Sequence, residues 1–209
     1  MLASRSPGDV KSRMDFWQAL TGAVLALFIC IHLVLEGSVV LSPGLTNAIA
    51  WLLEATYLAQ VAAPILVLII IVHFVIAARK MPFRAGELGI FINHSKSLKE
   101  ADTWLWLVQV ATAIIILVGA FAHVFTVMNN MPIEVSGSVK RLHEGWLLFH
   151  AVFLPSVILH TGIGIYRLAV KFGFSCKDKR DKLRKRIMIV MACYLVLGVL
   201  ALARVWFMG

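Results

Sequence analysis

Five long apolar stretches constrain this chain more than any other feature of its sequence. Each is long enough to cross a bilayer as a helix of about 20 residues or more. They lie near residues 15–41, 54–78, 103–128, 145–168 and 187–207. Because 60% of the 209 residues are hydrophobic and only 15% are charged, an ordinary soluble domain is excluded. The sequence predicts an all-α polytopic membrane protein, a bundle of five transmembrane helices.

The distribution of basic residues predicts the orientation of this bundle. Seventeen of the 20 lysines and arginines fall on one side of it, in the N-terminal segment and in residues 79–99 and 167–186. Only Lys140, Arg141 and Arg204 fall on the other side. The positive-inside rule therefore places the N-terminus and both long loops in the cytoplasm, and the C-terminus outside.

These short basic runs also account for the net charge of +9 without a nucleic-acid partner. They stand between apolar spans and include no base-stacking or groove-reading module. The loops at residues 79–102 and 167–186 are either solvated topology signals or surfaces for anionic lipid or a soluble partner. The charge pattern alone leaves both interpretations open.

No domain boundary or internal repeat is evident, so residues 1–209 are predicted to form one transmembrane domain. The first fourteen residues are polar and basic, and the span after them lacks a small-residue cleavage site, which favours a retained helix over a signal peptide. The three cysteines, Cys30, Cys176 and Cys193, are scattered. They suggest neither a disulfide framework nor a thiolate metal site.

Four histidines lie deep within four of the predicted helices, one in each, where an ionisable side chain is costly and indicates a functional site. His73 and His160 precede the basic ends of their helices by six and seven residues, which places both about 9–10 Å from the cytoplasmic edge. His32 and His123 lie about 24–30 Å from that edge. Depth therefore sorts the four into an inner pair, His73 with His160, and an outer pair, His32 with His123.

Each pair brings imidazoles from two helices to one level, which is the geometry that a bis-histidine haem needs. Small residues near these histidines would leave room for the flat macrocycle: Gly162, Gly164, Gly119 and Ala120. The alternatives are interhelical hydrogen bonds by the histidines and small residues that only let helices pack closely. Zinc fits less well, because neither layer has a cysteine or an evident carboxylate set to complete a tetrahedron. Two stacked redox cofactors would indicate electron transfer.

The remaining histidines are assigned separately. His94 is predicted to be a solvated loop residue, and His143 a wet residue at the outer end of the fourth helix. His150 falls near the outer layer, about 80° around its helix from His160. It is a candidate replacement ligand or a contact for a haem propionate or quinone, and a noncoordinating role is preferred.

Four short segments, taken in their order and spacing, carry a resemblance to a known family. They are Asp15-Phe16-Trp17-Gln18 before His32, His73 before Ala78-Arg79-Lys80-Met81-Pro82, Asp102-Thr103-Trp104-Leu105-Trp106 before His123, and Leu159-His160 through Tyr166-Arg167-Leu168-Ala169-Val170-Lys171. Over nearly the whole chain they resemble the dihaem cytochrome b membrane subunit of succinate:quinone oxidoreductases, especially bacterial quinol:fumarate reductases.

The resemblance implies two noncovalent b-type haems and assigns residues to them. It implies His73 and His160 as axial ligands of a proximal haem, and His32 and His123 as ligands of a distal one. It also implies that Gln18 and Trp106 lie near the proximal haem and its propionates. An interfacial anchor is an equally economical role for Gln18 and Trp106.

The resemblance further implies a place in a larger complex of a bacterial inner membrane. An iron–sulfur subunit would dock on the cytoplasmic face and hold an FAD flavoprotein where fumarate and succinate interconvert. This chain would carry no FAD or dicarboxylate site, and menaquinol or another quinone would react within it. A dimer of such heterotrimers is an arrangement left open.

Quinol oxidation near the outer layer needs a proton acceptor, and two carboxylates are candidates. Glu54 is predicted to open the second helix, and Glu36 lies one turn beyond His32. Glu54 is preferred, because related menaquinol enzymes use a glutamate near the start of this helix; an exposed helix-end carboxylate is the alternative for both. Ile158 stands where some dihaem relatives carry a glutamate for a compensating proton, so electrogenicity stays open.

The sequence therefore predicts an electron-transfer subunit of a fumarate reductase or succinate dehydrogenase, with the physiological direction open. One alternative keeps the haems and changes the partner, as in the cytochrome b anchor of a hydrogenase or formate dehydrogenase. The other is a haem-free transporter or structural anchor. A transporter would usually show broken helices around a substrate cavity, and no paired Gly/Pro interruptions indicate one.

Overall fold

Five long helices and three shorter ones make up the parts of the chain that the computed structural model describes, residues 7–84, 86–174 and 177–209. Their bounds are α1 Pro7–Gly37, α2 Pro43–Ala55, α3 Leu58–Ala78, α4 Glu87–Leu98, α5 Ala101–Met128, α6 Val135–Arg141, α7 Leu147–Lys171 and α8 Arg180–Trp206. No strand occurs among these residues. Cys176, named above, and the first six residues of the N-terminal segment lie outside them.

Five candidate membrane spans confirm the predicted all-α membrane fold. They comprise α1, α3, α5, α8 and the continuous stretch from α6 through α7. Large apolar side chains such as Leu27, Leu68 and Val118 are more than 60% exposed on their surfaces. A water-soluble protein rarely exposes so much contiguous apolar surface, whereas lipid tails are its natural surroundings.

The central helix of the bundle is α7, which packs against α5 and α8 and also touches α1. Its buried residues include Ile158, Thr161, Ile163 and Tyr166. Helix α1 packs against α3 and α8. The chain therefore forms two neighbouring helix pairs, α1 with α3 and α5 with α7, and this pairing positions the histidines.

The second predicted span begins later than expected. An apolar run continues from residue 43 to residue 78, but Tyr57 has a left-handed backbone, with φ of 58°, and divides it into α2 and α3. Glu54 therefore lies in the last turn of α2 and does not open the membrane helix. Hydropathy could not locate this break because both sides of it are apolar.

Other helix ends differ because polar turns continue the helices into water. Helix α1 begins at Pro7 and α8 at Arg180, both earlier than predicted. Lysine and arginine are good helix formers, so a basic juxtamembrane segment need not end a helix. The loop after α3 also contains α4, which the sequence analysis did not predict.

A glycine turn joins α6 to α7 at the outer end of the bundle. Gly145 has φ of 103° within the turn Leu142–Trp146, a conformation that residues with a Cβ rarely adopt. Leu142 packs there with Val39, Val135 and Val205 in a small apolar core. This turn sets the direction in which α7 and its histidines enter the bundle.

Candidate functional site

Each inner histidine hydrogen-bonds a threonine on the helix packed beside it. His73 Nδ1 of α3 lies 3.0 Å from Thr21 Oγ1 of α1. His160 Nδ1 of α7 lies 3.2 Å from Thr112 Oγ1 of α5 and 3.1 Å from the backbone carbonyl oxygen of Gln109. The two inner rings are thus held by corresponding atoms in the two helix pairs.

The hydrogen bonds of the two inner rings favour one tautomer. Each threonine hydroxyl lies within hydrogen-bond distance of a carbonyl of its own helix, the Trp17 oxygen for Thr21 and the Val108 oxygen for Thr112, both at 2.8 Å. A hydroxyl that donates to its own helix accepts from the histidine, and the Gln109 carbonyl, which can only accept, requires the hydrogen on His160 Nδ1. Nε2 keeps its lone pair, which is the form in which a neutral imidazole binds a metal.

The outer layer contains three imidazoles instead of two. The ring centroids of His32 and His123 are 6.2 Å apart at 71°, and those of His123 and His150 are 6.1 Å apart at 85°. Two imidazoles on opposite sides of one metal ion, with bonds of about 2.0–2.1 Å, place their centroids about 6 Å apart. The spacing between His32 and His123 therefore fits a pair of axial ligands. The spacing between His150 and His123 is equally close.

Aromatic side chains pack around the outer pair. Phe28 stacks on His32, with centroids 5.3 Å apart, and Phe153 lies 6.0 Å from His123. His150 Nδ1 donates to the carbonyl of Trp146 on its own helix at 2.8 Å. Among the described residues, neither His32 nor His123 hydrogen-bonds a side chain.

The glycines near the two layers lie close to neighbouring side chains, and the expectation that they leave room for a macrocycle stays a prediction. A Cβ on Gly162 would lie 2.7 Å from Met191, and one on Gly119 would lie 2.5 Å from the Phe153 ring. Neighbouring side chains thus occupy the space that these glycines provide. The sequence analysis missed Gly22, where a Cβ would lie 3.0 Å from Cε1 of the His73 ring.

A polar cluster covers the end of the α1–α3 pair where the basic residues lie. Asp15 lies 3.2 Å from Arg79 and 2.8 Å from Lys80, and its backbone carbonyl accepts from Lys171 at 2.7 Å. Lys80 also donates to Gln18 Oε1 at 3.0 Å. The basic end of α3 is thereby tied to the first membrane turns of α1.

A corresponding cluster covers the α5–α7 pair. Arg167 donates to Gln109 Oε1 at 2.8 Å, and the Tyr166 hydroxyl donates to Asp102 at 2.9 Å. Arg184 of α8 lies 3.7 Å from the same carboxylate. These contacts join three helices at the side toward which the basic residues point.

Comparison with known proteins identifies the scaffold that carries these histidines. A family model described as the succinate dehydrogenase/fumarate reductase transmembrane subunit matches residues 91–199. The fumarate reductase cytochrome b subunit of Helicobacter pylori is 30% identical over 200 residues, which cover 90% of this chain and 78% of that protein. The chain belongs to this transmembrane subunit family. The cytochrome b subunit of Wolinella succinogenes is 28% identical over 210 residues, covering 94% of this chain and 82% of that one.

Membership of the transmembrane subunit family confirms the resemblance that the sequence analysis identified. The structure also shows where the two residues assigned to the propionates lie. Gln18 is in the Asp15 and Lys80 cluster. The Trp106 ring packs against Phe91 of α4, with centroids 4.9 Å apart. Their role toward propionates stays a prediction.

The two candidate carboxylates lie in different surroundings. Glu36 is exposed in the last turn of α1. Glu54 is partly buried, and one carboxylate oxygen accepts from the backbone N–H of Ile133. Glu54 lies at the end of α2, so it is not beside the helix N-terminus that the sequence analysis expected. The Ile133 amide is the nearby positive dipole instead. Its role as a proton acceptor stays a prediction.

The structure also shows the surroundings of three other residues discussed in the sequence analysis. His94 is exposed as predicted but belongs to α4, not to a loop. His143 is exposed and stacks on Trp206, with centroids 4.1 Å apart. Ile158 is only 3% exposed on α7, so its apolar side chain is buried in the bundle.

Proposed function

We propose that this chain is the dihaem cytochrome b subunit that carries electrons between a membrane quinol and an iron–sulfur subunit of a fumarate reductase or succinate dehydrogenase. The observation that carries the proposal is the inner pair of imidazoles. Both have Nδ1–H engaged by a neighbouring helix and Nε2 left as a donor to a metal. Two histidines that served only to join helices would not need to share this state.

The donor set fits b-type haem. His73 and His160 would hold the proximal group, and His32 and His123 the distal one. The name cytochrome b, given to both relatives, supports this assignment. Haem b when bound supplies a carrier that gains and loses one electron at a time. The residues of this chain fix the ligand rings and exclude water from the apolar layer around them.

The levels of the two layers suit a path across the membrane. Thr21 contacts the inner layer and His32, eleven residues later on α1, belongs to the outer one. At 1.5 Å per residue this separates the layers by about 16 Å along the helix. An electron donor at the outer side and an acceptor at the cytoplasmic side would then be linked through the bundle.

The proposed quinol site lies toward the outer layer. Menaquinol or another quinol would release protons there, and Glu54 is the first candidate to accept one, with Glu36 second. The Ile133 N–H holds one oxygen of Glu54 in place. A carboxylate positioned in this way can accept a proton without first searching for an orientation.

The cytoplasmic face is the proposed docking surface for the iron–sulfur subunit, which in turn would hold the FAD flavoprotein. Seventeen basic residues and both polar clusters lie on this side. This arrangement implies a bacterial inner membrane, with the N-terminus in the cytoplasm and the C-terminus outside.

The experiment that tests the proposal is a reduced-minus-oxidised spectrum of the purified complex with haem quantification. We expect b-type bands and about two haems per chain, because two bis-histidine sets are present. His73→Ala and His160→Ala should each remove the same haem, whereas His94→Ala, on exposed α4, should remove none. Fully folded protein without haem absorbance would refute the proposal.

A further inference from the structure

Helices α1 and α5 carry the same three side chains at the same spacing. In both, a glutamine is followed by a threonine three residues later and by a histidine eleven residues after that. The two sets are Gln18, Thr21 and His32, and Gln109, Thr112 and His123. A search for self-similar segments overlooks such a repeat because the intervening residues are generic apolar ones.

The partner helices repeat their own pattern. In α3 and α7 the inner histidine is followed seven residues later by a cation: Lys80 after His73 and Arg167 after His160. Because α1 packs on α3 and α5 packs on α7, the two patterns meet in the same way in both pairs.

The contacts between the patterns are also the same. The cation donates to the glutamine Oε1, at 3.0 Å in the first pair and 2.8 Å in the second. The inner histidine Nδ1 contacts the threonine Oγ1, at 3.0 Å and 3.2 Å. Each inner ligand is thus held at two heights: by the threonine at the ring, and by the contact between the glutamine and a cation that follows the histidine by about two turns.

We infer that Thr21 and Thr112 are positioning residues for the inner iron, and that the two cation–glutamine pairs set the depth of the helices that present its ligands. The inference rests on the proposed function, in which His73 and His160 bind that iron. Each threonine places an acceptor at the Nδ1 of one axial ligand, and the Gln109 backbone carbonyl gives His160 a second one.

The expected electronic effect follows from this arrangement. An acceptor at Nδ1–H makes the imidazole a stronger donor at Nε2. A stronger donor favours the more positive oxidised iron and lowers its reduction potential. Loss of the acceptor should therefore raise the potential of the inner haem and leave that of the outer haem unchanged, because His32 and His123 have aromatic neighbours instead.

The test uses the intact complex and the variants Thr21→Val, Thr112→Val and the double variant. Valine keeps the shape of threonine and removes the hydroxyl acceptor, while the Gln109 carbonyl, 3.1 Å from His160 Nδ1, stays in place in Thr112→Val. Thr21→Ser and Thr112→Ser are matched controls, because serine keeps the hydroxyl. Optical redox titration gives the two potentials, and electron paramagnetic resonance gives the signal of each oxidised haem.

We expect both valine variants to raise the inner potential and shift the inner resonance. The change should be larger in Thr21→Val than in Thr112→Val, because the Gln109 carbonyl still accepts from His160, and largest in the double variant, with recovery in the serine variants. Inner haem affinity should fall about 10–100-fold, the usual cost of losing an outer-shell partner. Valine variants that keep both haems with unchanged potentials and resonances would overturn the inference.

Two outcomes need separate treatment. Wild-type protein without haem would refute the proposed function and not this inference specifically. If a valine variant does not assemble, Thr21→Cys replaces it, since a thiol is a weaker acceptor at the same position. Its inner potential must lie above that of Thr21→Ser, and equal potentials would overturn the inference.

Discussion

The inner and outer histidine layers are held by different interactions. Thr21 and Thr112 fix the inner rings through directional hydrogen bonds from neighbouring helices. The outer rings rest on aromatic faces and on one another, as Phe28 does on His32. Hydrogen bonds determine both tautomer and orientation, whereas ring packing limits orientation alone. The inner layer is therefore preorganised, and the outer one has a third imidazole, His150, within reach.

The largest expected effect is a loss of haem, and it distinguishes the ligands of the outer layer from its third imidazole. His123→Ala should abolish the outer haem, because both neighbouring imidazoles, His32 and His150, lie about 6 Å from His123 and share it as their partner. His150→Ala should keep both haems. The measurement is haem content with redox spectra of the purified complex.

The same layer provides a decisive control for His150. If His32→Ala retains an outer haem that the double variant with His150→Ala loses, then His150 is a ligand and the assignment of His32 is wrong. If His32→Ala loses that haem outright, the predicted noncoordinating role of His150 holds.

The next largest effect concerns proton transfer near the outer layer. Glu54→Gln keeps the size of the side chain and removes the proton acceptor, so quinol oxidation should fall by about 10²–10⁴-fold. Glu36→Gln, at an exposed position, tests the second candidate and should change the rate little. The readout is the initial rate with a soluble menaquinol analogue, with spectra showing intact haems. A Glu54→Gln rate equal to that of the wild type would remove Glu54 from the mechanism.

A smaller effect should distinguish packing at the two layers. Gly119→Ala introduces a Cβ 2.5 Å from Phe153, and overpacking of this kind costs about 1–3 kcal/mol. It should weaken retention of the outer haem while the inner one stays. A Cβ on Gly22 would lie 3.0 Å from the His73 ring. Gly22→Ala should therefore weaken retention of the inner haem while the outer one stays. Thermal release of each haem in detergent measures both, and identical release profiles would contradict the separation.

The smallest effect is expected outside both layers. Asp102→Asn removes a carboxylate that is about half exposed and pairs with Arg184 at 3.7 Å. Exposed ion pairs contribute less than about 1 kcal/mol, so thermal stability should change only slightly and both potentials should stay. A shifted inner potential would show that the polar cluster influences the inner layer directly.

The sequence predicted the features that follow from hydropathy and depth. Five spans and the separation of His73 and His160 from His32 and His123 require only the helical rise and the position of basic residues. Glu54 was misplaced because an apolar run conceals the left-handed residue Tyr57, which separates two helices. Backbone conformation at one residue leaves no trace in a hydropathy profile.

Thr21 and Thr112 were missed for a different physical reason. Threonine inside a membrane helix usually satisfies its hydroxyl on its own helix, so it carries no obvious sign of an external partner. Their importance appears only when the hydroxyl hydrogen is assigned to the helix and the histidine is left as the donor. The equal spacings in α1 and α5 were nevertheless present in the sequence and could have indicated them.

The spacing of eleven residues between Thr21 and His32, and between Thr112 and His123, has a mechanical consequence. Eleven residues make just over three full turns, so both side chains project from nearly the same face of one helix. An axial slide of α1 or α5 would displace an inner acceptor and an outer ligand together. Events at the quinol end and at the docking face would then be linked by helix movement as well as by electrons.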